Sequence, residues 1–290
     1  MIPIQQIHED FLKEKGIQLY IQREDLLHPE ISGNKWRKLK YNIEYFSENQ
    51  FDAILTFGGA YSNHIAATAA AGKKYNLKTI GVIRGDKLSE DNPTLSLAKK
   101  NGMHLHFVSR KQYRQKDYPH FIQYLTALYG NIYIVPEGGG NELGIKGCAE
   151  ILDERSKKMD VICCACGTGS TAAGLIQSKQ TEQHFLGFSA LKDGYFLENE
   201  IAKVVSLQSN WKIIHDYHFG GYAKVTEELV NFYHRFKQKH NITLDMVYTA
   251  KMLYGIFDLI SRDYFTKESS ILAIHTGGLQ GNKGFFESRD

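Results

Sequence analysis

The chain has 290 residues, 42% of them hydrophobic and 23% charged, with a formal net charge of +3. That length allows one large domain or two medium ones with real cores, and the composition is that of a soluble globular protein. So small a charge argues against nucleic acid or an anionic membrane surface as the main partner. The N-terminal segment lacks the basic start and apolar run of a secretory signal. No stretch reaches the ~18 apolar residues a membrane helix needs, so a cytoplasmic location is expected.

Taken in chain order, short β-rich runs predict strands at 18–21, 53–56, 79–83, 104–108, 132–135, 161–165, 185–189 and 271–274. Helical spacing predicts helices at 36–49, 62–75, 93–101, 112–129, 143–157, 171–177, 195–207, 225–240 and 249–264. This alternation predicts an α/β protein with mostly parallel sheets. There is no internal repeat, low-complexity tract or long linker, so any domain boundary must fall in short loops. Glycines mark the strand exits at Gly58-Gly59, Gly138-Gly139-Gly140, Gly167 with Gly169, and Gly277-Gly278. In open α/β sheets ligands bind at such loops, beyond the C-terminal strand ends.

The first motif is Ser32-Gly33-Asn34-Lys35-Trp36-Arg37-Lys38-Leu39-Lys40. Trp36, Leu39, Ile43 and Phe46 recur at helical spacing, so a helix starts near Lys35, with Asn34 as N-cap. The helix dipole and the cations Arg37, Lys38 and Lys40 disfavour a protonated Lys35. A lysine of lowered pKa is a nucleophile toward carbonyls, including that of pyridoxal phosphate. The alternative is a solvated basic helix face.

Gly58-Gly59-Ala60-Tyr61-Ser62-Asn63-His64 places Ser62 and Asn63 at a second helix start, as ligand groups or as plain caps. His64 has the look of a base but is read as structural. The four cysteines are Cys148, Cys163, Cys164 and Cys166. Cys163 and Cys164 are adjacent and would point to opposite strand faces, so packing rather than metal binding is expected. Cys166-Gly167-Thr168-Gly169-Ser170-Thr171-Ala172-Ala173-Gly174 follows a strand and enters a helix. Converging N–H groups, hydroxyls and a helix N-terminus make an anion cradle for phosphate. It is neither a P-loop nor the dinucleotide G-x-G-x-x-G, which would need glycine at Ala172. Tyr248-Thr249-Ala250-Lys251, His275-Thr276-Gly277-Gly278 and Gly220-Gly221-Tyr222 are weaker signals.

Taken together, these motifs resemble, in order and spacing, the pyridoxal-phosphate enzymes called 1-aminocyclopropane-1-carboxylate deaminase and D-cysteine desulfhydrase. The resemblance spans about residues 17–281. It implies a fold-type-II, tryptophan-synthase-β-like enzyme of two domains: a large one from 1–49 and 156–290, and a small inserted one from 50–155. It implies pyridoxal 5′-phosphate as cofactor, a small amino acid as substrate, no metal, and a homodimer. Lys35 would carry the cofactor covalently and later move the substrate's α proton. Gly167, Thr168, Gly169, Ser170 and Thr171 would hold the phosphate, with Lys38 as a further cation. Asn63 would meet the cofactor's 3′ oxygen and contribute to the substrate site; Ser62 would take the substrate carboxylate. Tyr222 and Tyr248 would flank the substrate, and Thr276 would lie near the pyridine nitrogen.

Two positions separate the family's branches. Deaminases usually carry Glu where this chain has Thr249, and Leu where it has Thr276; both choices match the desulfhydrase branch. Tyr61 replaces the usual Gln beside the carboxylate pocket, where it would alter substrate preference. The expected reaction is α,β-elimination, with D-cysteine giving pyruvate, ammonia and sulfide. The alternatives are cyclopropane ring opening to 2-oxobutanoate and, in a different class, a non-catalytic carrier of a cofactor or phosphate metabolite.

Overall fold

The computed structural model describes residues 1–28, 30–31, 33–86, 92–205 and 210–282. The chain enters through β1 (Ile4–Ile7), α1 (Asp10–Lys15), β2 (Gln18–Gln22) and α2 (Asn34–Glu48). There follow β3 (Ala53–Gly58), α3 (Asn63–Tyr75), β4 (Thr79–Arg84), α4 (Pro93–Lys100) and β5 (His104–Val108). Then come α5 (Arg110–Tyr113), α6 (Pro119–Tyr129), β6 (Ile132–Val135) and α7 (Glu142–Ala149). Next are β7 (Val161–Cys166), α8 (Ser170–Ser178), β8 (His184–Ser189), α9 (Phe196–Val205) and β9 (Trp211–Ile214). The last elements are α10 (Glu227–His240), α11 (Thr249–Ser261) and β10 (Ser270–Ile274).

The strands form two sheets. One has the order β1-β2-β10-β7-β8-β9, parallel throughout except between β1 and β2. The other has the order β5-β4-β3-β6 and is wholly parallel. This is the α/β architecture with mostly parallel sheets that the alternating pattern predicts. Among the described residues no helix is long and apolar enough to cross a membrane.

The chain divides into two compact units. The first, Met1–His28, Ser32–Asn34 and Ile145–Leu279, contains the larger sheet; the second, Pro29–Ile31, Lys35–Gly144 and Gln280–Asp290, contains the smaller. The boundaries near 34 and 144 differ from the 49 and 155 placed by sequence. Helix α2 explains the first difference. Its Leu39 packs with Ile31 and with Ala67, Ala70 and Ala71 of α3, and Trp36 and Ile43 join them.

The central strands of both sheets are the most deeply buried. In the larger unit Ile162, Cys164 and Cys166 of β7 pack with Leu175 of α8, Phe185 of β8 and Leu272 of β10. The four cysteines are all buried, and burial pushes the Cys163 thiol far up. They act as small apolar residues. In the smaller unit Leu55, Val82 and Ile132 pack under Phe121 and Leu125 of α6.

Several boundaries differ from the periodicity. The predicted helix 112–129 is two helices, because Pro119 opens α6 and disfavours helical backbone just before it. The predicted helix 143–157 stops at Ala149; beyond it Ile151 is buried in the core and its carbonyl accepts Gln22 Nε2 at 2.6 Å. Strands β1 and β9 and helix α1 carry no apolar period of their own. Residues 206–207 of the predicted helix 195–207, and Ser32 of the lysine motif, lie outside the described residues.

Candidate active site

In the larger unit, β7 hands over to α8 through the turn at 167–169. Gly169 has φ +83°, a conformation that side-chain-bearing residues resist, and a Cβ there would lie 3.1 Å from Ile201. At Gly167 a Cβ would come within 3.0 Å of the Tyr248 ring. The turn, glycine on either side of Thr168, opens onto the N-terminus of a nine-residue helix. Ser170 and Thr171 are buried in its first turn, and the Thr168 and Ser170 hydroxyls stand 3.2 Å apart. Helix N-termini leave N–H groups without intrahelical partners, which suits an anion.

Residues 33–34 are stitched onto this turn. Gly33 has φ +63°, and a Cβ there would collide with the Thr276 carbonyl at 1.9 Å. The Asn34 N–H donates to that carbonyl at 3.2 Å, and the Asn34 side-chain amide donates to Thr171 Oγ1 at 2.9 Å. Asn34 is thus the first residue of α2 and a cross-link between the β10 exit and the glycine turn, in place of the N-cap expected from sequence. Thr276 itself is buried.

Tyr222 and Tyr248 meet edge to face, with centroids 6.1 Å apart. Thr249 is completely buried, and its hydroxyl accepts the Asp245 N–H at 2.7 Å, which braces the start of α11.

In the smaller unit, Lys35 lies in the first turn of α2 and is partly exposed. Lys38, one turn on, is buried, and its ammonium donates to the Gly138 carbonyl at 2.9 Å. His64 lies beside both lysines: burial first, then the charges of Lys35 and Lys38, hold its imidazole neutral, far below the usual histidine range. Neither of its ring nitrogens has a hydrogen-bond partner among the described residues. Ser62 caps α3 by accepting the Ile65 N–H at 3.3 Å. Asn63 Oδ1 accepts Gln280 Nε2 at 2.8 Å, and Tyr61 is half exposed. The motifs did not reveal the Asn34 cross-link, Gln280 or Asp245. Only the glycine triplet at 138–140 hinted at the turn that receives Lys38.

A parallel α/β chain with a glycine turn at a helix start, and an asparagine bonded to the first turn of that helix, fits one class: the fold-type-II enzymes. The family model described as pyridoxal-phosphate dependent enzyme matches residues 2–277, and the chain belongs to that family. It is a pyridoxal-phosphate-dependent enzyme. A bifunctional D-cysteine desulfhydrase/1-aminocyclopropane-1-carboxylate deaminase of Arabidopsis thaliana is 30% identical, over 92% of this chain and 73% of the relative. A D-cysteine desulfhydrase of Klebsiella pneumoniae is 27% identical, over 91% of this chain and 87% of the relative. A solved structure described as an ACC deaminase homologue superposes with a TM-score of 0.85 at 29% identity, covering 99% of this chain and 92% of that one.

The residues present fit the cofactor. The turn at 167–169 has glycine at two of its three positions, one of them at a positive φ, and the Thr168 and Ser170 hydroxyls beside them, which fits a phosphate cradle. The unpartnered nitrogens of His64, beside two lysines, mark a second buried polar surface suited to a ligand.

Proposed function

We propose that this enzyme catalyses α,β-elimination on a small amino acid, with D-cysteine the preferred substrate. D-Cysteine and water give pyruvate, ammonia and hydrogen sulfide: the Cα–H and Cβ–S bonds break, and hydrolysis releases the nitrogen. Pyridoxal phosphate, when bound, supplies an electron sink for the carbanion at Cα. Lys35 would carry it through Nζ and would then accept the Cα proton. The backbone N–H groups at 167–171 would bind its phosphate, and Lys38 would add positive charge. Asn63 would donate to its 3′ oxygen. Ser62 Oγ would orient the substrate carboxylate, and Tyr222 and Tyr248 would flank the side chain that leaves. Thr276, a neutral residue, would moderate the sink at the pyridine nitrogen.

One observation carries this reading. Asn34 is bonded to Thr171 in the first turn of α8, the helix that follows the glycine turn. Lys35 is the next residue in the sequence, which supports reading it with that turn as parts of one cofactor site. The relatives' names support the choice of small amino acids as substrates. They also favour a second reading, ring opening of 1-aminocyclopropane-1-carboxylate to 2-oxobutanoate and ammonia. The test is product release by the holoenzyme. Pyruvate and sulfide in equal amounts from D-cysteine are expected, and no keto acid from either compound would remove both readings.

A further inference from the structure

Between β9 and α10 the backbone takes a path that side-chain-bearing residues resist. Phe219, Gly220, Gly221 and Ala223 have φ of +51°, +90°, +112° and +55°. Two of the four are not glycine, so something outside the turn must over-determine it. Within the turn, the Gly221 N–H donates to the His218 carbonyl at 3.0 Å, the Gly220 N–H to His218 Nδ1 at 2.9 Å, and the Lys224 N–H to the Gly221 carbonyl at 3.1 Å.

Lys251, on α11, supplies the rest. Its side chain is buried, and its ammonium donates to the His218 carbonyl at 2.8 Å and to the Gly221 carbonyl at 2.7 Å. One nitrogen thus gathers two carbonyls, three residues apart, of the turn that presents Tyr222. A buried ammonium is costly unless it is well bonded, and no step of the proposed reaction uses this one. Burial pushes Lys251 down to about 8, against the pull of Asp245. Asp245, also buried, accepts the Tyr248 N–H at 2.6 Å, and burial pushes its carboxyl up to about 7. The two groups therefore control two different tyrosines. Lys251 governs the turn that carries Tyr222, and Asp245 governs the helix entry that carries Tyr248.

We propose that Lys251 is a positioning residue, whose ammonium locks the turn 218–223 so that Tyr222 is held against Tyr248 at the substrate. The proposal rests on the reading of the two tyrosines as groups that flank the substrate. An ammonium suits the task, because its donors diverge from one point and its bonds to carbonyls are charge-assisted. Methionine has a similar length and no donor.

The test compares Lys251→Met with wild type, as full-length holoenzyme, by two readouts. Amide hydrogen exchange at Gly221 and Lys224 should accelerate about tenfold or more, while α10 is unchanged, because release of the lock opens only the turn. Turnover number should fall roughly 10- to 100-fold, since misplacement rather than lost binding is the defect, with KM and cofactor absorbance nearly unchanged. In a Tyr222→Phe background the same change should add little. Lys251→Gln, with a donor on a shorter arm, should lie between; if the methionine variant does not fold, it carries both readouts. Unchanged exchange overturns the lock. Accelerated exchange with an additive loss on top of Tyr222→Phe, or with no loss of turnover, overturns the positioning role. If wild type releases no keto acid from any amino acid, the functional reading fails on its own, and exchange still decides whether Lys251 locks the turn.

Discussion

Lys35 and its neighbours show how differently placed lysines in one motif behave. Lys38 is buried and bonded to the Gly138 carbonyl, so its removal acts first on the fold. Lys38→Ala should lower unfolding free energy by about 1.5–3 kcal/mol, the scale for a hydrogen bond to a charged group. Gly169→Val should act on the cofactor, because a branched side chain at φ +83° strains the cradle by about 1–3 kcal/mol and faces Ile201. Equilibrium titration with pyridoxal phosphate should show the greater affinity loss in Gly169→Val; the reverse order would move the phosphate away from this turn. Tyr61 is half exposed beside the Ser62 cap, and there a glutamine would remove an aromatic ring from the proposed carboxylate pocket. Tyr61→Gln should change kcat/KM for D-cysteine relative to 1-aminocyclopropane-1-carboxylate. Equal ratios in both proteins would show that the ring does not reach the substrate.

At the scale of elements, helix α3 carries a pH dependence. His64 is buried in its first turn and held neutral by burial and by Lys35 and Lys38. In the unfolded chain an imidazole takes up its proton near pH ~6.5, whereas the folded one does so only at much lower pH. Between those values the unfolded state binds the extra proton, so stability falls as pH drops below about 6.5. Buried His275 adds to the same slope, again chiefly through burial. Urea unfolding of cofactor-free protein should show a midpoint that falls from neutral to mildly acidic pH, and His64→Leu should flatten it. A slope unchanged by that substitution would mean His64 is protonated in the fold. The elements themselves were legible where they carry their own period. β5 (His104–Val108) and β6 (Ile132–Val135) match their predicted bounds, while β1 buries only Ile7 and depends on pairing with β2. The split of α5 from α6 is visible in Pro119, although helical spacing runs through it.

For the whole molecule, the parallel α/β class and the glycine turns could be read from sequence because strand exits and phosphate cradles demand specific residues. What could not be read is what tertiary packing decides. Asn34 looks like any cap until its amide is seen on Thr171, and nothing in the Thr249 motif shows that its hydroxyl accepts the Asp245 N–H. The expected preference for elimination over ring opening is carried by Thr249 and Thr276, and Tyr61 would alter it. Wild type should release pyruvate from D-cysteine faster, in kcat/KM, than 2-oxobutanoate from 1-aminocyclopropane-1-carboxylate; the opposite order would make ring opening the main activity. The central claim is that Lys35 is the residue that carries pyridoxal phosphate. Borohydride reduction of the holoenzyme, followed by digestion and mass spectrometry, tests it most directly. The pyridoxyl group is expected on the peptide containing Lys35 and should disappear in Lys35→Ala; a label on Lys38, Lys251 or any other lysine would overturn the assignment.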